Sequence, residues 1–224
     1  MKINLKYNSS LVSIFENPNQ IITLDANFLI CPNRKNLNFD FEVFKSIWLS
    51  PILESFSNLA IHESVYDELV DIKSKSFVDN NRHRIRIHKD SSLNSVEKIL
   101  RNTIEARIAI NTKYVIEEDN KDDRGEVKSL AHIAVKNYIY FASNDYNAIN
   151  LIENAEEWNT GLDDMRAIKM YEIIYYLYKN NIVNGKTLRL LYKYQYHLTE
   201  REKSINPNWG EFITKMDKLY EGIK

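Results

Sequence analysis

Short apolar runs alternate with segments of helical periodicity through roughly the first 180 residues of this chain. The runs IITL, NLAIH, RIRIH, YIYFAS and MRAIKM have the length and composition of strands, and the segments between them place apolar residues three or four positions apart. Short buried strands separated by helices are typical of a sheet that carries helices on both faces. The sequence therefore predicts an α/β fold with a mostly parallel sheet flanked by helices.

Three segments allow more detailed predictions. Apolar residues at helical spacing predict a helix over 41–56 that is broken near Pro51. The alternating run RIRIH predicts a half-buried strand, with its isoleucines on one face and Arg84, Arg86 and His88 on the other. Residues at helical spacing predict a further helix in the segment that follows: Val96, Ile99, Leu100, Thr103, Ile104, Arg107 and Ile108.

The last part of the chain, residues 181–224, has the pattern of a helical C-terminal extension rich in aromatic residues. We interpret the tyrosines of LLYKYQYHL as helix–helix contacts rather than as platforms for stacking bases. Five residues form one stripe on the final helix: Trp209, Phe212, Ile213, Met216 and Tyr220. We expect this stripe to be buried on the domain, in a homodimer or against a partner helix.

Composition excludes several classes of protein. The 224 residues include one cysteine, so no internal disulfide or thiolate metal site can form, which suits a reducing cytosol. The five glycines form neither the GxGxxG nor the GxxxxGK[ST] pattern of nucleotide-binding loops. No apolar stretch reaches the ~20 residues of a membrane span, and the N-terminus does not resemble a signal peptide. We therefore expect a cytoplasmic protein, and its net charge of −1 leaves nucleic-acid binding to a local basic patch.

Acidic residues follow two of the apolar runs directly and two more lie on helices. Asp25 ends the first run, Asp145 ends the run YFASN, and Glu68 and Glu126 occur in helical segments. In open α/β sheets, sites form beyond the carboxyl ends of the strands. Clustered carboxylates repel one another unless they take up protons or hold a cation, and the hard ions Mg²⁺ and Mn²⁺ prefer oxygen ligands. An acid set without His or Cys ligands indicates metal-assisted phosphoryl chemistry more than zinc hydrolysis.

Four motifs, in this order, resemble those of the PIN-domain nucleases. LDAN at 24–27 is similar to the family's buried strand that ends in Asp, with Asn or Ser two positions later, and VYDEL at 65–69 is similar to its helical Glu motif. GEVKSLAHIA at 125–134 is similar to the third motif, in the D-x-GE form of a PIN-like branch, and SND at 143–145 to the fourth. The resemblance covers about residues 18–180, which we take as the nuclease domain.

The resemblance implies a three-layer α/β/α, PIN-like fold and a Mg²⁺- or Mn²⁺-dependent endoribonuclease, with RNA or another single-stranded nucleic acid as substrate. It implies that Asp25, Glu126 and Asp145 hold the metal, while Glu68 holds metal or orients the attacking water. Further candidates are assigned to substrate binding: Asn27, Ser143, Arg84 and Arg86. The two arginines belong to RHRIRIH, the best local candidate for phosphate contact, although a solvated strand face explains them equally well.

The two helical acids also have structural interpretations. Glu68 can be a solvated helix acid near a capping box formed by Ser64 and Asp67. Glu126 can complete a capping box with Asp123 as the N-cap residue. A metal-binding role and a capping role can coexist at Glu126, so the pattern leaves both open.

Asp25 can likewise cap the turn after its strand, and Asp145 can bond the backbone of the turn NDYN. His62, His132 and His197 have no spacing that indicates a metal site, and we interpret them as structural. Two alternatives to the nuclease remain open at this level. One is a catalytically inactive PIN-like module that binds RNA, and the other is the toxin component of a toxin–antitoxin pair.

Overall fold

The computed structural model describes residues 2–34 and 37–223, and its main feature is a mostly parallel sheet. The strands are β1 (Ile22–Leu24), β2 (Asn33–Arg34), β3 (Leu37–Asn38), β4 (Leu59–His62), β5 (Ile85–His88), β6 (Tyr140–Ser143) and β7 (Arg166–Lys169). Five of them form one sheet in the order β5-β4-β1-β6-β7, whereas β2 and β3 form a separate antiparallel pair. Strand β1 pairs in parallel with β4 and β6, and β4 pairs in parallel with β5. The predicted α/β fold is confirmed.

Helices connect the strands of this sheet. The helices are α1 (Ser9–Glu16), α2 (Phe41–Phe44), α3 (Ser50–Ser55), α4 (Glu63–Glu68), α5 (Ile72–Asn80), α6 (Ser95–Ala109), α7 (Arg124–Val135), α8 (Tyr146–Glu153), α9 (Ala155–Trp158), α10 (Met170–Lys179), α11 (Gly185–Tyr196), α12 (Glu200–Ile205) and α13 (Trp209–Leu219). Every residue of β1, β4 and β6 is buried, as expected for inner strands of a sheet covered on both faces. No helix in the described ranges is long and apolar enough to cross a membrane.

The chain divides into two compact units. One comprises residues 1–20, 31–57 and 169–224, and the other comprises 21–30 and 58–168 and contains nearly all of the five-stranded sheet. These units do not follow the sequence boundary between 18–180 and 181–224. The C-terminal stripe accounts for part of the difference, because it packs on α10, which precedes residue 181.

Aromatic contacts bury that C-terminal stripe within its own unit. Phe212 stacks on Tyr192 with ring centroids 4.6 Å apart, and Trp209 meets Tyr178 edge to face. Phe212, Met216 and Tyr220 are buried, whereas Trp209 and Ile213 are half-buried. The tyrosines of α11 are also buried, which confirms their interpretation as helix contacts.

Two local predictions need correction. The segment predicted to break near Pro51 continues as a π-helical stretch, Lys45–Leu49, followed directly by α3. Pro51 lies in the first turn of α3, where its missing N–H costs little. His88, expected on the outer face of β5, is buried.

Helix α6 buries two charged residues beside Ile108 and exposes three apolar residues in its first half. Val96, Ile99 and Leu100 are mostly exposed, with exposed fractions of 66%, 67% and 51%. Arg101 and Glu105 lie on the buried face and pair with each other, so neither charge is buried alone. Apolar spacing therefore located this helix but did not identify its buried face.

Candidate active site

The two strand-end aspartates leave the sheet on neighbouring strands. Residue Leu24 of β1 pairs with Ala142 of β6, and the chain continues to Asp25 and, after Ser143 and Asn144, to Asp145. Strand β1 has β4 on one side and β6 on the other, so the order of the chain reverses between β1 and β6. Ligand sites of open α/β sheets form at such a reversal, beyond the carboxyl ends of the strands. Both aspartates lie there.

Polar neighbours hold the Asp25 carboxylate in place. Asp25 is only 2% exposed, and its Oδ1 accepts a 2.6 Å hydrogen bond from the N–H of Ala26. Its Oδ2 accepts hydrogen bonds from Asn27 Nδ2 and, at 2.6 Å, from Ser143 Oγ. Asn27 also accepts a 2.8 Å bond from the backbone N–H of Asn144, which ties the two strand ends together. Asn27 and Ser143 therefore orient Asp25, and their contact with substrate remains a prediction.

Asp145 has a structural role at the same edge. Its Oδ1 accepts hydrogen bonds from the N–H groups of Asn147 at 2.6 Å and Ala148 at 3.4 Å, which caps α8. Its own N–H donates to Ser143 Oγ at 2.9 Å. The capping interpretation of Asp145 is thus correct for one oxygen.

Glu68 and Glu126 come from helices α4 and α7. Glu68 Oε1 accepts a 2.8 Å hydrogen bond from the N–H of Gly125 at the start of α7. A Cβ atom on Gly125 would lie only 2.4 Å from that oxygen, so a glycine allows the carboxylate to approach the helix end this closely. The sequence pair GE at 125–126 therefore brings two carboxylates from different helices together.

Of the four acids, Glu126 lies in the environment that is least favourable for a charged carboxylate. Its Oε2 is inaccessible to solvent and has no hydrogen-bond partner. Burial, reinforced by the charges of Asp25, Asp145, Asp123 and Glu68, raises the pKa of Glu126 far above its ordinary value of 4.5. An acceptor oxygen buried without a donor is costly, and a bound cation would remove that cost.

Glu68 and Asp25 also have raised pKa values, as Glu126 does. Burial raises the pKa of Glu68 to about 7, although the hydrogen bond from Gly125 opposes the shift. Burial also raises the pKa of Asp25, as does the charge of Asp145, while hydrogen bonds from Ser143, Ala26 and Asn27 lower it. The charge of one acid thus raises the pKa of another, as is expected of carboxylates that share a cation site.

The four carboxylates interact electrostatically but do not form a tight three-ligand cluster. Within residues 2–34 and 37–223, no three of these acids offer oxygen atoms that all lie within 4.8 Å of one another. Mg²⁺ and Mn²⁺ usually keep several water ligands, so carboxylates can bind such an ion partly through water. Asp25, Glu68, Glu126 and Asp145 therefore fit a hydrated hard cation better than a dry, all-protein cage.

The two predicted capping boxes are absent from helices α4 and α7. Asp123 adopts the left-handed conformation, with φ +55°, and its side chain accepts a 2.9 Å bond from the N–H of Lys113 rather than capping α7. Helix α4 is capped by His62, whose ring accepts a hydrogen bond from the N–H of Ser64. The capping boxes predicted for Ser64 with Asp67 and for Asp123 with Glu126 are therefore wrong.

Arg84 and Arg86 are exposed beside β5, an edge strand of the sheet. Arg86 donates a 3.2 Å hydrogen bond to Asn58 Oδ1. Their position at the surface is compatible with contact to phosphate and equally with a solvated strand face. Binding by these arginines remains a prediction.

The sequence did not predict a second cluster of potential metal ligands. His62 and His132, interpreted as structural, meet Asp90, and one potential ligand atom from each lies within 4.8 Å of the others. These residues are separated by 28 and 42 positions, too far for any local spacing rule. One feature of the sequence could have indicated this cluster: His62 ends an apolar strand, as Asp25 and Asp145 follow theirs.

Comparisons of this chain with protein-family models, with curated proteins and with solved structures find no match. The fold class and the geometry of the acids therefore rest on the chain itself.

Proposed function

We propose that this protein is a divalent-metal-dependent nuclease of PIN-like type that cleaves RNA. The main support for the proposal is Glu126 Oε2, which is buried near other carboxylates and has no hydrogen-bond partner. Unpaired buried acids cost stability, and a site that retains them is a candidate for cation binding. Two aspartates at the carboxyl ends of parallel strands, with two glutamates from helices α4 and α7, suit phosphoryl chemistry with Mg²⁺ or Mn²⁺.

Each acid has a distinct task in this proposal. Asp25 and Glu126 hold the cation directly or through water, and Asp145 contributes the oxygen least engaged in capping α8. Glu68, whose pKa is raised to about 7, is suited to accept a proton from the attacking water near neutral pH. Asn27 and Ser143 fix the orientation of Asp25.

A bound Mg²⁺ or Mn²⁺ supplies charge neutralisation at the phosphodiester and activation of a water for in-line attack. The chain's own contribution is to hold the carboxylates at fixed positions beyond the end of the sheet. RNA is proposed as the substrate on the motif resemblance, and the arginines at the edge strand offer a place for its backbone.

The test compares wild type, Asp25→Asn and a matched control, Asp164→Asn. Asp164 is an exposed aspartate in the same unit as Asp25. Cleavage of single-stranded RNA is measured with Mg²⁺, with Mn²⁺ and with chelator. We expect wild type and Asp164→Asn to cleave only with metal, and Asp25→Asn to lose activity by several orders of magnitude.

Binding to the same RNA is measured in parallel. Tight binding by wild type without cleavage under any divalent ion would replace the nuclease with the inactive RNA-binding module. Equal cleavage by Asp25→Asn and wild type would remove the acids from the mechanism.

A further inference from the structure

Two histidines and one aspartate from three separate elements meet in the unit that contains residues 58–168. His62 is the last residue of β4, Asp90 follows β5, and His132 lies on α7. Asp90 Oδ1 lies 3.2 Å from His62 Nε2 and 2.8 Å from His132 Nδ1. Two imidazole nitrogens are therefore directed at a single carboxylate oxygen.

We propose that His62, Asp90 and His132 form a second metal site, distinct from the four acids, which binds Zn²⁺ or a similar borderline transition-metal ion. Two imidazoles and one carboxylate are a ligand set that zinc accepts, with a fourth position left for water. Mg²⁺ prefers oxygen ligands and is a poor match to two imidazoles. The two sites thus select different ions.

The separations of the ligand atoms suit this ion. Bonds of about 2.0–2.1 Å in tetrahedral geometry place ligand atoms roughly 3.4 Å apart. The observed 2.8 and 3.2 Å are a few tenths of an ångström shorter. The Asp90 side chain is 30% exposed and can move outward by that amount, whereas the two histidines are buried and held in place.

Surrounding groups complete the site. Arg101 donates a 2.9 Å bond to Asp90 Oδ2 and leaves Oδ1 for the ion. Because Arg101 is also paired with Glu105, these three charged side chains carry one net negative charge. Glu63 accepts a 2.8 Å bond from the N–H of Asp90, which fixes the turn that carries this ligand.

The imidazoles can adopt the required form. Metal binds a neutral imidazole, so the ring nitrogen that is not a ligand carries the proton and needs an acceptor. With metal on Nε2 of His62, the ring proton resides on Nδ1, and Ser64 Oγ lies 2.7 Å from Nδ1 to accept that proton. This arrangement replaces the 3.2 Å bond that the N–H of Ser64 donates to the ring.

The test measures Co²⁺ and Zn²⁺ binding to the full chain in excess Mg²⁺, which occupies the acidic site. Co²⁺ is followed by its visible absorption, which is intense for four- or five-coordinate sites with imidazole ligands and weak for an octahedral oxygen site. Zn²⁺ is followed by competition and by the rise in melting temperature. We expect one ion per chain with wild type.

Two variants and one control decide the assignment. His132→Asn keeps an amide N–H that can donate to Asp90 but removes the ligand nitrogen, and we expect affinity to fall at least about 100-fold. Asp90→Asn is the second variant, with the same expectation, should the first fail to fold. His83→Asn removes an exposed histidine and should bind like wild type.

The absence of a stoichiometric Co²⁺ spectrum with wild type would overturn the proposal and leave the cluster as a hydrogen-bond network. Unchanged affinity in a folded His132→Asn or Asp90→Asn protein would do the same. The result does not depend on RNA cleavage, so the nuclease proposal and this one can fail separately.

Discussion

Neutralising Glu126 should stabilise the metal-free protein while it abolishes metal-dependent activity. In Glu126→Gln, the amide keeps the shape of the side chain and stays neutral among the surrounding acids without taking up a proton. Glu126 has a raised pKa when folded, so the folded chain binds a proton that the unfolded chain releases. The wild type therefore loses stability as the pH rises above 4.5, the ordinary pKa of this carboxyl, toward its raised value.

The magnitude follows from proton linkage. Each pH unit above 4.5 costs the wild type about 1.4 kcal/mol as long as Glu126 stays protonated in the folded state. At about pH 7.5 this gives an upper limit of roughly 4 kcal/mol. Glu126 is half-buried and partly screened by water, so we expect about 1–2 kcal/mol, or a rise in Tm of about 2–8 °C.

Thermal melting in chelator at about pH 5 and pH 7.5 measures this difference. Glu126→Gln should melt higher than wild type at the upper pH and nearly with it at the lower pH, while added Mg²⁺ should stabilise only wild type. RNA cleavage should fall at least about 100-fold. Glu117→Gln, at an exposed position, is the control and should match wild type throughout. A Tm difference that does not change with pH would refute the reasoning.

Three further predictions concern other parts of the molecule. Gly125→Ala should reduce cleavage about 10- to 100-fold with little loss of stability, because the new methyl group would lie 2.4 Å from Glu68 Oε1 and displace that carboxylate. Arg84→Ala with Arg86→Ala should weaken RNA binding and reduce the slope of log K against log salt by about one unit for each phosphate that the variant no longer neutralises. Phe212→Ala should cost about 3–5 kcal/mol in denaturant unfolding, because this ring is fully buried.

Controls separate these effects from general damage. Gly210→Ala adds a methyl group to another helix where its nearest non-neighbouring atom would be 3.4 Å away, so cleavage should persist. Lys98→Ala removes an exposed charge from α6 and should leave the salt slope unchanged. Leu190→Ala, at a residue 52% exposed, should cost much less than Phe212→Ala. Equal effects in a variant and its control would contradict the corresponding prediction.

The alternation of apolar runs and helical segments was sufficient to predict the fold class. Strands β1, β4 and β6 are buried on both faces, so they must be apolar throughout, and that requirement is visible in a single sequence. The same logic placed Asp25 and Asp145 after strands, because parallel strands deliver their carboxyl ends to one edge of the sheet.

Tertiary packing decided which helix side chains are buried. Helix α6 turns its Arg101–Glu105 pair inward and leaves Ile99 exposed, since an ion pair satisfied by neighbours can be buried and apolar periodicity does not register those neighbours. Helix α13 packs on α10, which precedes the predicted domain boundary, and a division of the chain by sequence position alone does not anticipate that contact.

The sequence by itself indicated that Asp25 and Asp145 follow strands and that Glu68 and Glu126 lie in helical segments, because local periodicity identifies each element. Only the tertiary structure decided that Glu126 keeps a buried oxygen without a partner, and that His62, Asp90 and His132 converge. Such encounters depend on strand order and helix packing between residues far apart in the chain. The unpartnered oxygen of the acidic site and the converging ligand atoms of the histidine site arise only when those distant residues meet.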